Sequence, residues 1–211
     1  MPRRAACTGR TGPRPAWRNA MTVGPIHANG AAGSHYAVYF GDLKSNVYAI
    51  DAQTGAKIWK THVEKHFATR VTAAPALYQG RLYVPISAWE GFQARVLDYP
   101  CCTAVGSVSS LDANTGRIIW KTYTIAEPPQ RRHKNSQGVQ LWGPAAFRYG
   151  IHLRLILPAT PCTSAPGDAT TYPAPATSDA IMALDINTGR RLWTHQIYAG
   201  ECLHRRVRRH R

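Results

Sequence analysis

Two adjacent cysteines, Cys101 and Cys102, are the residues of this 211-residue chain whose types and spacing point most directly to chemistry. A disulfide between sequence neighbours closes a small ring, distorts the peptide between them and is easily reduced, so it makes a poor staple. If formed, it offers a flat, rigid, polarisable surface and implies an oxidising compartment. If reduced, the pair is two small side chains buried beside a strand. The residues alone leave both readings open. Cys7, Cys162 and Cys202 stand apart from the pair and from one another. No C-x-x-C-H haem attachment and no zinc-ligand spacing occurs, so neither chemistry is indicated.

The elements that must position this pair follow from a repeat. VYAIDAQTGAKIWKT (47–61), VSSLDANTGRIIWKT (108–122) and IMALDINTGRRLWTH (181–195) share Asp, Thr, Gly and Trp at fixed offsets. The members are Asp51/Thr54/Gly55/Trp59, Asp112/Thr115/Gly116/Trp120 and Asp185/Thr188/Gly189/Trp193. Alternation before the Asp, with β-branched and aromatic types, predicts a strand between packed sheets. Asp at the strand end accepts hydrogen bonds from the next amides, and Gly supplies the positive φ that closes the hairpin, at 52–56 and 113–117. Trp on the returning strand is expected to wedge between neighbouring sheets, contributing about 2–3 kcal/mol when its N–H finds an acceptor. All three motif tryptophans are therefore expected to be mostly buried. These residues build the fold rather than perform a reaction.

Successive repeats lie farther apart than the roughly 40–50 residues of one four-stranded propeller blade, which implies insertions. The expected fold is all-β: a partial propeller of about three four-stranded antiparallel blades, at about 22–66, 67–125 and 143–198. Residues 69–80 and 81–89 read as the first two strands of the second blade, 90–105 as an insertion and 126–142 as a polar connector. In the third unit, 147–173 carries Pro158, Pro161, Pro166 and Pro173 and shows little strand pattern. Together with the basic N-terminus (1–21) and the basic tail (199–211), it reads either as disordered text or as sequence shifted out of an ancestral frame. Residues 1–20 contain no apolar run of the roughly 7–15 residues that a secretory signal needs. No stretch approaches the roughly 20 apolar residues of a membrane span.

The formal charge of +15 would ordinarily suggest a nucleic-acid partner. Its location argues otherwise. Five Arg lie in 1–18 and five in 205–211, whereas 36–125 holds nine Lys/Arg against six Asp/Glu. The repeat region is nearly neutral, and no nucleic-acid partner is expected.

The repeated A/S-x-D-x-x-T-G-x-x-x-W resembles the tryptophan-docking motif of quinoprotein dehydrogenases, eight-bladed propellers that hold pyrroloquinoline quinone (PQQ) on their axis. YPCCTAVGSVSSLDANTGRIIWKTYTI (99–125) and RVTAAPALYQGRLYVPISAWE (70–90) resemble the polyvinyl-alcohol dehydrogenase branch. The resemblance covers about 36–146 and 176–198. The Trp motif alone is shared with non-enzymatic propellers, including outer-membrane assembly lipoproteins.

The resemblance implies a vicinal disulfide over one face of PQQ, for which Cys101 and Cys102 are the match. It implies that Arg70, opening an inner strand, pairs with a PQQ carboxylate; a solvated strand end is the alternative. Glu90 would offer an oxygen ligand to Ca²⁺, or simply begin a solvated loop. Trp142 would stack on the cofactor or fill an inter-blade core. No Asp is placed as catalytic base. The implied activity is oxidation of an alcohol or polymeric alcohol, with Ca²⁺ polarising a quinone carbonyl and electrons leaving to cytochrome c in the periplasm. About three blades in place of eight imply a chain inactive on its own. The other function class is a non-catalytic propeller scaffold resembling the assembly lipoproteins, against which the Cys101–Cys102 context argues.

Overall fold

The computed structural model describes residues 21–26, 35–88, 104–124, 138–141, 146–148, 154–163, 180–197 and 202–203. Everything described is strand, turn or irregular connection, arranged as three sheets. The first sheet is antiparallel and runs in chain order: β1 (Thr22–Ile26), β2 (His35–Gly41), β3 (Asn46–Asp51) and β4 (Lys57–His62). The second holds β5 (Thr69–Arg70), β6 (Ala76–Tyr78), β7 (Arg81–Ala88), β8 (Ser107–Asp112) and β9 (Ile118–Tyr123). Its order is β5-β7-β8-β9, with β6 also on β7. The third holds β10 (Gly138–Leu141), β11 (Ala146–Arg148), β12 (Arg154–Thr163), β13 (Ala180–Asp185), β14 (Arg191–Gln196) and β15 (Cys202–Leu203). Here the order is β10-β12-β13-β14, with β11 and the parallel β15 also on β12. One four-strand path thus repeats three times, as in a partial β-propeller.

The Asp-to-Trp repeat explains both the hairpins and the way the sheets join. Asp51 Oδ1 accepts from the Gln53 amide (2.9 Å), the Thr54 amide (2.7 Å) and the Thr54 hydroxyl (2.9 Å). Asp112 and Asp185 make the same three bonds, each at 3.0, 2.8 and 2.9 Å. Gly55, Gly116 and Gly189 close the turns at φ of 73°, 72° and 71°, where an L side chain would be strained. The returning Trp then crosses to the next sheet. Trp59 Nε1 donates to the Ala113 carbonyl at 3.0 Å, and Thr61 Oγ1 to the Gly116 carbonyl at 2.7 Å. One sheet on, Trp120 Nε1 donates to the Ile186 carbonyl at 3.1 Å and Thr122 Oγ1 to the Gly189 carbonyl at 2.7 Å. Tyr39 and Tyr83 send their hydroxyls to the same two carbonyls, at 3.3 and 3.4 Å.

Between the first two sheets the core comprises Ile26, Tyr39, Val47, Leu82, Val84, Ile86 and Leu111, each 0–1% exposed. Leu82, Val84 and Leu111 point from the second sheet toward the first. Tyr83, Ser110 and Trp120 occupy its opposite face, against the third sheet. No helix among the described residues is long and apolar enough to cross a membrane.

Three sequence expectations are corrected. Trp59 is 8% exposed, but Trp193 is 38% exposed, because a motif Trp is covered by the next sheet's turn and no described sheet follows the third. The third sheet begins at Gly138, inside the stretch read as a connector. The segment 147–173 contains the ten-residue β12, paired with β13 from Arg154↔Asp185 to Ala159↔Ala180. Its text RLILPAT (154–160) echoes RLYVPIS (81–87) of β7. The two are placed alike: Arg81 pairs with Asp112 and Arg154 with Asp185, while Pro85 pairs with Val108 and Pro158 with Ile181. Pro158 therefore marks a recurring strand position and does not end the strand.

Candidate functional site

Of the cofactor- and metal-site candidates, Arg70 is the one within the described residues. Cys101, Cys102, Glu90 and Trp142 lie outside them. Arg70 is half-buried on β5, at one end of the strand order of the second sheet, opposite Ser87 of β7. Hydroxyls surround this strand. Thr69 Oγ1 donates to the His66 carbonyl (2.6 Å) and lies 3.0 Å from Ser45 Oγ. Thr72 Oγ1 is 3.0 Å from Ser87 Oγ. Ala68, Ala88 and Ala104 form a small buried cluster beside it. Ala68 is two residues before Arg70, Ala88 two before Glu90 and Ala104 two after Cys102. The described residues flanking three of the candidates therefore converge on one place.

Apart from this strand, between the first two sheets, is a buried ion pair that the sequence did not announce. Glu64, just after β4 and 9% exposed, accepts from Lys121 Nζ of β9. Lys121 also donates to the Val63 carbonyl at 2.9 Å and lies 4.8 Å from the Tyr123 ring centroid. Burial by itself would push the Glu64 carboxyl up. The Lys121 hydrogen bond and charge, the Lys65 amide and the Tyr123 hydroxyl together hold it below the usual carboxylate range. No sequence signal marked this pair, since a Lys beside a Trp on a strand usually points to solvent. Asp42 is likewise depressed. Burial opposes the shift, but the Asn46 side chain and amide, the Lys44 amide and the Tyr48 hydroxyl outweigh it. Both Asp42 oxygens are spent shaping the 42–46 turn, which is a structural rather than a catalytic use.

The arrangement can take one part of an anionic ligand. Arg70 is a forked donor of the kind that suits a carboxylate, on an end strand of its sheet opposite Ser87. Calcium takes roughly 6–8 oxygen ligands, and the described residues contain no group of three or more His, Cys, Asp or Glu side chains able to hold an ion.

Comparison with known proteins decides the family. The model described as outer membrane protein assembly factor BamB, a PQQ-type repeat family, matches residues 5–201. The chain belongs to the PQQ-type β-propeller family. The match includes 147–173, in agreement with the blade strand found there. Polyvinylalcohol dehydrogenase of Pseudomonas sp is 32% identical over 187 residues, covering 86% of this chain and 29% of the relative. The polyvinylalcohol dehydrogenase of Sphingopyxis sp. (strain 113P3) is 34% identical over 173 residues, covering 78% of this chain and 25% of the relative. This PQQ-type chain thus spans less than a third of those relatives' length. Quinohemoprotein alcohol dehydrogenase from Comamonas testosteroni superposes with a TM-score of 0.57 at 20% identity, over 78% of this chain and 26% of that one. That likeness speaks to the fold.

Proposed function

We propose that this chain is the PQQ-facing part of an alcohol dehydrogenase of the polyvinyl-alcohol type, acting on alcohols or polymeric alcohols in the periplasm with cytochrome c as electron acceptor. PQQ, when bound, supplies the oxidising quinone, and Ca²⁺ the Lewis acid. Arg70 would hold a carboxylate of the cofactor from the end strand of the second sheet. Cys101 and Cys102 would supply the flat surface against its ring, Trp142 would stack on it and Glu90 would contribute an oxygen to the metal. The observation that carries this reading is the 34% identity to a polyvinylalcohol dehydrogenase over 78% of the chain. The position of Arg70 on the end strand of the second sheet, opposite Ser87, is compatible with it.

The 211-residue chain by itself should bind PQQ weakly and oxidise no alcohol. A propeller axis collects its ligands from many blades, and affinity depends on holding them together beforehand. The test is a titration of the purified chain with PQQ, with and without Ca²⁺, followed by absorbance and by dye-linked alcohol oxidation. A weak absorbance shift, reduced at least about tenfold in affinity by Arg70→Ala, with no turnover, supports the proposal. No PQQ binding at all would sink it and favour the non-catalytic scaffold, to which the assembly-factor description of the family points. Steady turnover would overturn the inactivity of the isolated chain.

A further inference from the structure

The two ends of the arc carry the two halves of one contact. Inside the chain that contact is made twice: a motif Trp lies over the next sheet's turn glycine, its indole N–H on the carbonyl of the residue after the motif Asp. At one end Trp193 is 38% exposed, while its counterpart Trp59 is 8% exposed. At the other end the Asp51–Gly55 turn has the same hydrogen bonds and the same φ as the two occupied turns. A Cβ built on Gly116 or Gly189 would lie 2.6 or 2.5 Å from a Trp ring, whereas one built on Gly55 meets nothing within 4 Å.

The sheet faces agree with the turns. Val38 and Ile50 pair across the first sheet, as Leu82 and Leu111 pair across the second. Leu82 and Leu111 are 0% exposed beneath the preceding sheet, whereas Val38 and Ile50 are only half-buried and Tyr36 beside them is 52% exposed. The outer face of the first sheet is therefore apolar and shaped to receive a Trp-bearing sheet, and the third sheet presents such a face.

We propose that the chain associates head to tail with a second copy of itself, Trp193 of one copy closing over the Asp51–Gly55 turn and the Val38/Ile50 face of the next. The occupant is a second copy because the chain carries both complementary halves, and the junction would continue an inter-sheet contact the fold already makes twice. It requires no cofactor, so it stands apart from the quinone reading. One difference weakens it relative to the internal contacts: His195 stands where Thr61 and Thr122 donate to a glycine carbonyl. Such a contact is heterologous, with different surfaces meeting, and so can extend beyond a pair.

The test is the mass of the purified chain by sedimentation and light scattering from about 1 to about 100 µM, in roughly 0.15 M salt to screen its net charge. The expected result is a mass that rises with concentration above the 23.3 kDa of one chain. Trp193→Ala removes one half of the junction. Gly55→Asn removes the other, because Asn tolerates positive φ yet puts atoms where the incoming ring must lie. Each variant alone should remain at 23.3 kDa with an unchanged circular dichroism spectrum. Mixed in equal amounts, they should form pairs and stop there, since each brings the half the other lacks. A wild-type chain that stays at one copy throughout, as expected if some other sheet covers these faces, overturns the proposal. So does association by both variants as strong as wild type, or a mixture of two folded variants that never pairs.

Discussion

Trp59 and Trp193 hold the same place in the same repeat and meet different surroundings. Trp59 is 8% exposed, with its N–H on the Ala113 carbonyl and its ring tilted 39° against Tyr39 at 6.0 Å. Trp193 returns on an equivalent strand, opposite Ala183 as Trp59 is opposite Ala49, and is 38% exposed. The same holds for the glycines: Gly116 lies under a ring and Gly55 does not. The repeat therefore encodes the hairpin by itself, while burial of its Trp comes from the following sheet. Local hydrogen bonds specify the turn; the energy of the motif is realised between sheets.

The strongest way to break that comparison is to truncate both tryptophans and measure denaturant unfolding at low protein concentration. Trp59→Ala should cost roughly 3–5 kcal/mol, the range for a buried aromatic. Trp193→Ala should cost less, about 1–2 kcal/mol, because only part of its ring is covered. Equal losses would mean that Trp193 is covered in solution even at dilution. Next in size are the glycines. Gly55→Ala should cost only the positive-φ penalty of about 1–2 kcal/mol. Gly116→Ala adds a Cβ 2.6 Å from the Trp59 ring and should cost roughly 2–4 kcal/mol, as overpacking joins the backbone strain. A difference near zero would show that the ring moves aside freely.

The junction between the first two sheets also holds the Glu64–Lys121 pair, at a position where the third sheet has Thr194 in place of Lys. Because the folded Glu64 carboxyl is held below its ordinary range, the stability it contributes is present above the unfolded value and lost as pH falls through the folded one. The urea midpoint should drop in wild type as pH falls below the ordinary glutamate range. Lys121→Met should cost about 2 kcal/mol at neutral pH, because it leaves a buried carboxylate alone, and should flatten this acid dependence. An unchanged acid slope in Lys121→Met would remove the pair from the junction's energetics.

Much of the fold was legible because its repeat is local. Asp, Thr, Gly and Trp at fixed offsets mark a hairpin through hydrogen bonds reaching only a few residues, and the hairpins at 52–56 and 113–117 follow from them. β12 was harder to see because Pro158 and Pro161 interrupt its alternation. Its likeness to β7, with Pro85 and Pro158 at matching positions, appears only once Arg81–Asp112 and Arg154–Asp185 are known to pair. Trp193 was misjudged for a different reason: its exposure depends on which sheet comes next, and its own repeat carries no trace of that. At the candidate site, Arg70 reads in sequence as opening a long strand, whereas it ends the two-residue β5 and the chain leaves the sheet until Ala76. Glu64 and Lys121 could not be read from sequence, since their pairing joins two sheets through residues that look like ordinary surface charges.

The finest distinction concerns the second aromatic of the docking contact. Tyr39 is 0% exposed and donates its hydroxyl to the Ala113 carbonyl at 3.3 Å, the acceptor that Trp59 also uses. Burial, with a smaller effect from the Asp112 charge, pushes its phenol up from 10.0 to about 12. A group raised on folding contributes stability that is present below its unfolded value and lost as pH climbs toward the folded one, so the window here is pH 10 to 12. Within that window the unfolded chain releases the Tyr39 proton while the folded chain keeps it. By pH 11 the loss reaches about 1.4 kcal/mol, since each unit of pH separates the two states by that amount. Tyr39→Phe should cost about 1 kcal/mol at pH 7 through the missing hydrogen bond, then lose less than wild type on going to pH 11. The readout is the difference between the two chains' urea midpoints at pH 7, 10 and 11, which cancels the other tyrosines and the lysines that titrate in both. Parallel curves would show that Tyr39 ionises as readily when folded as when unfolded, and that the carbonyl under the docked Trp is open to water.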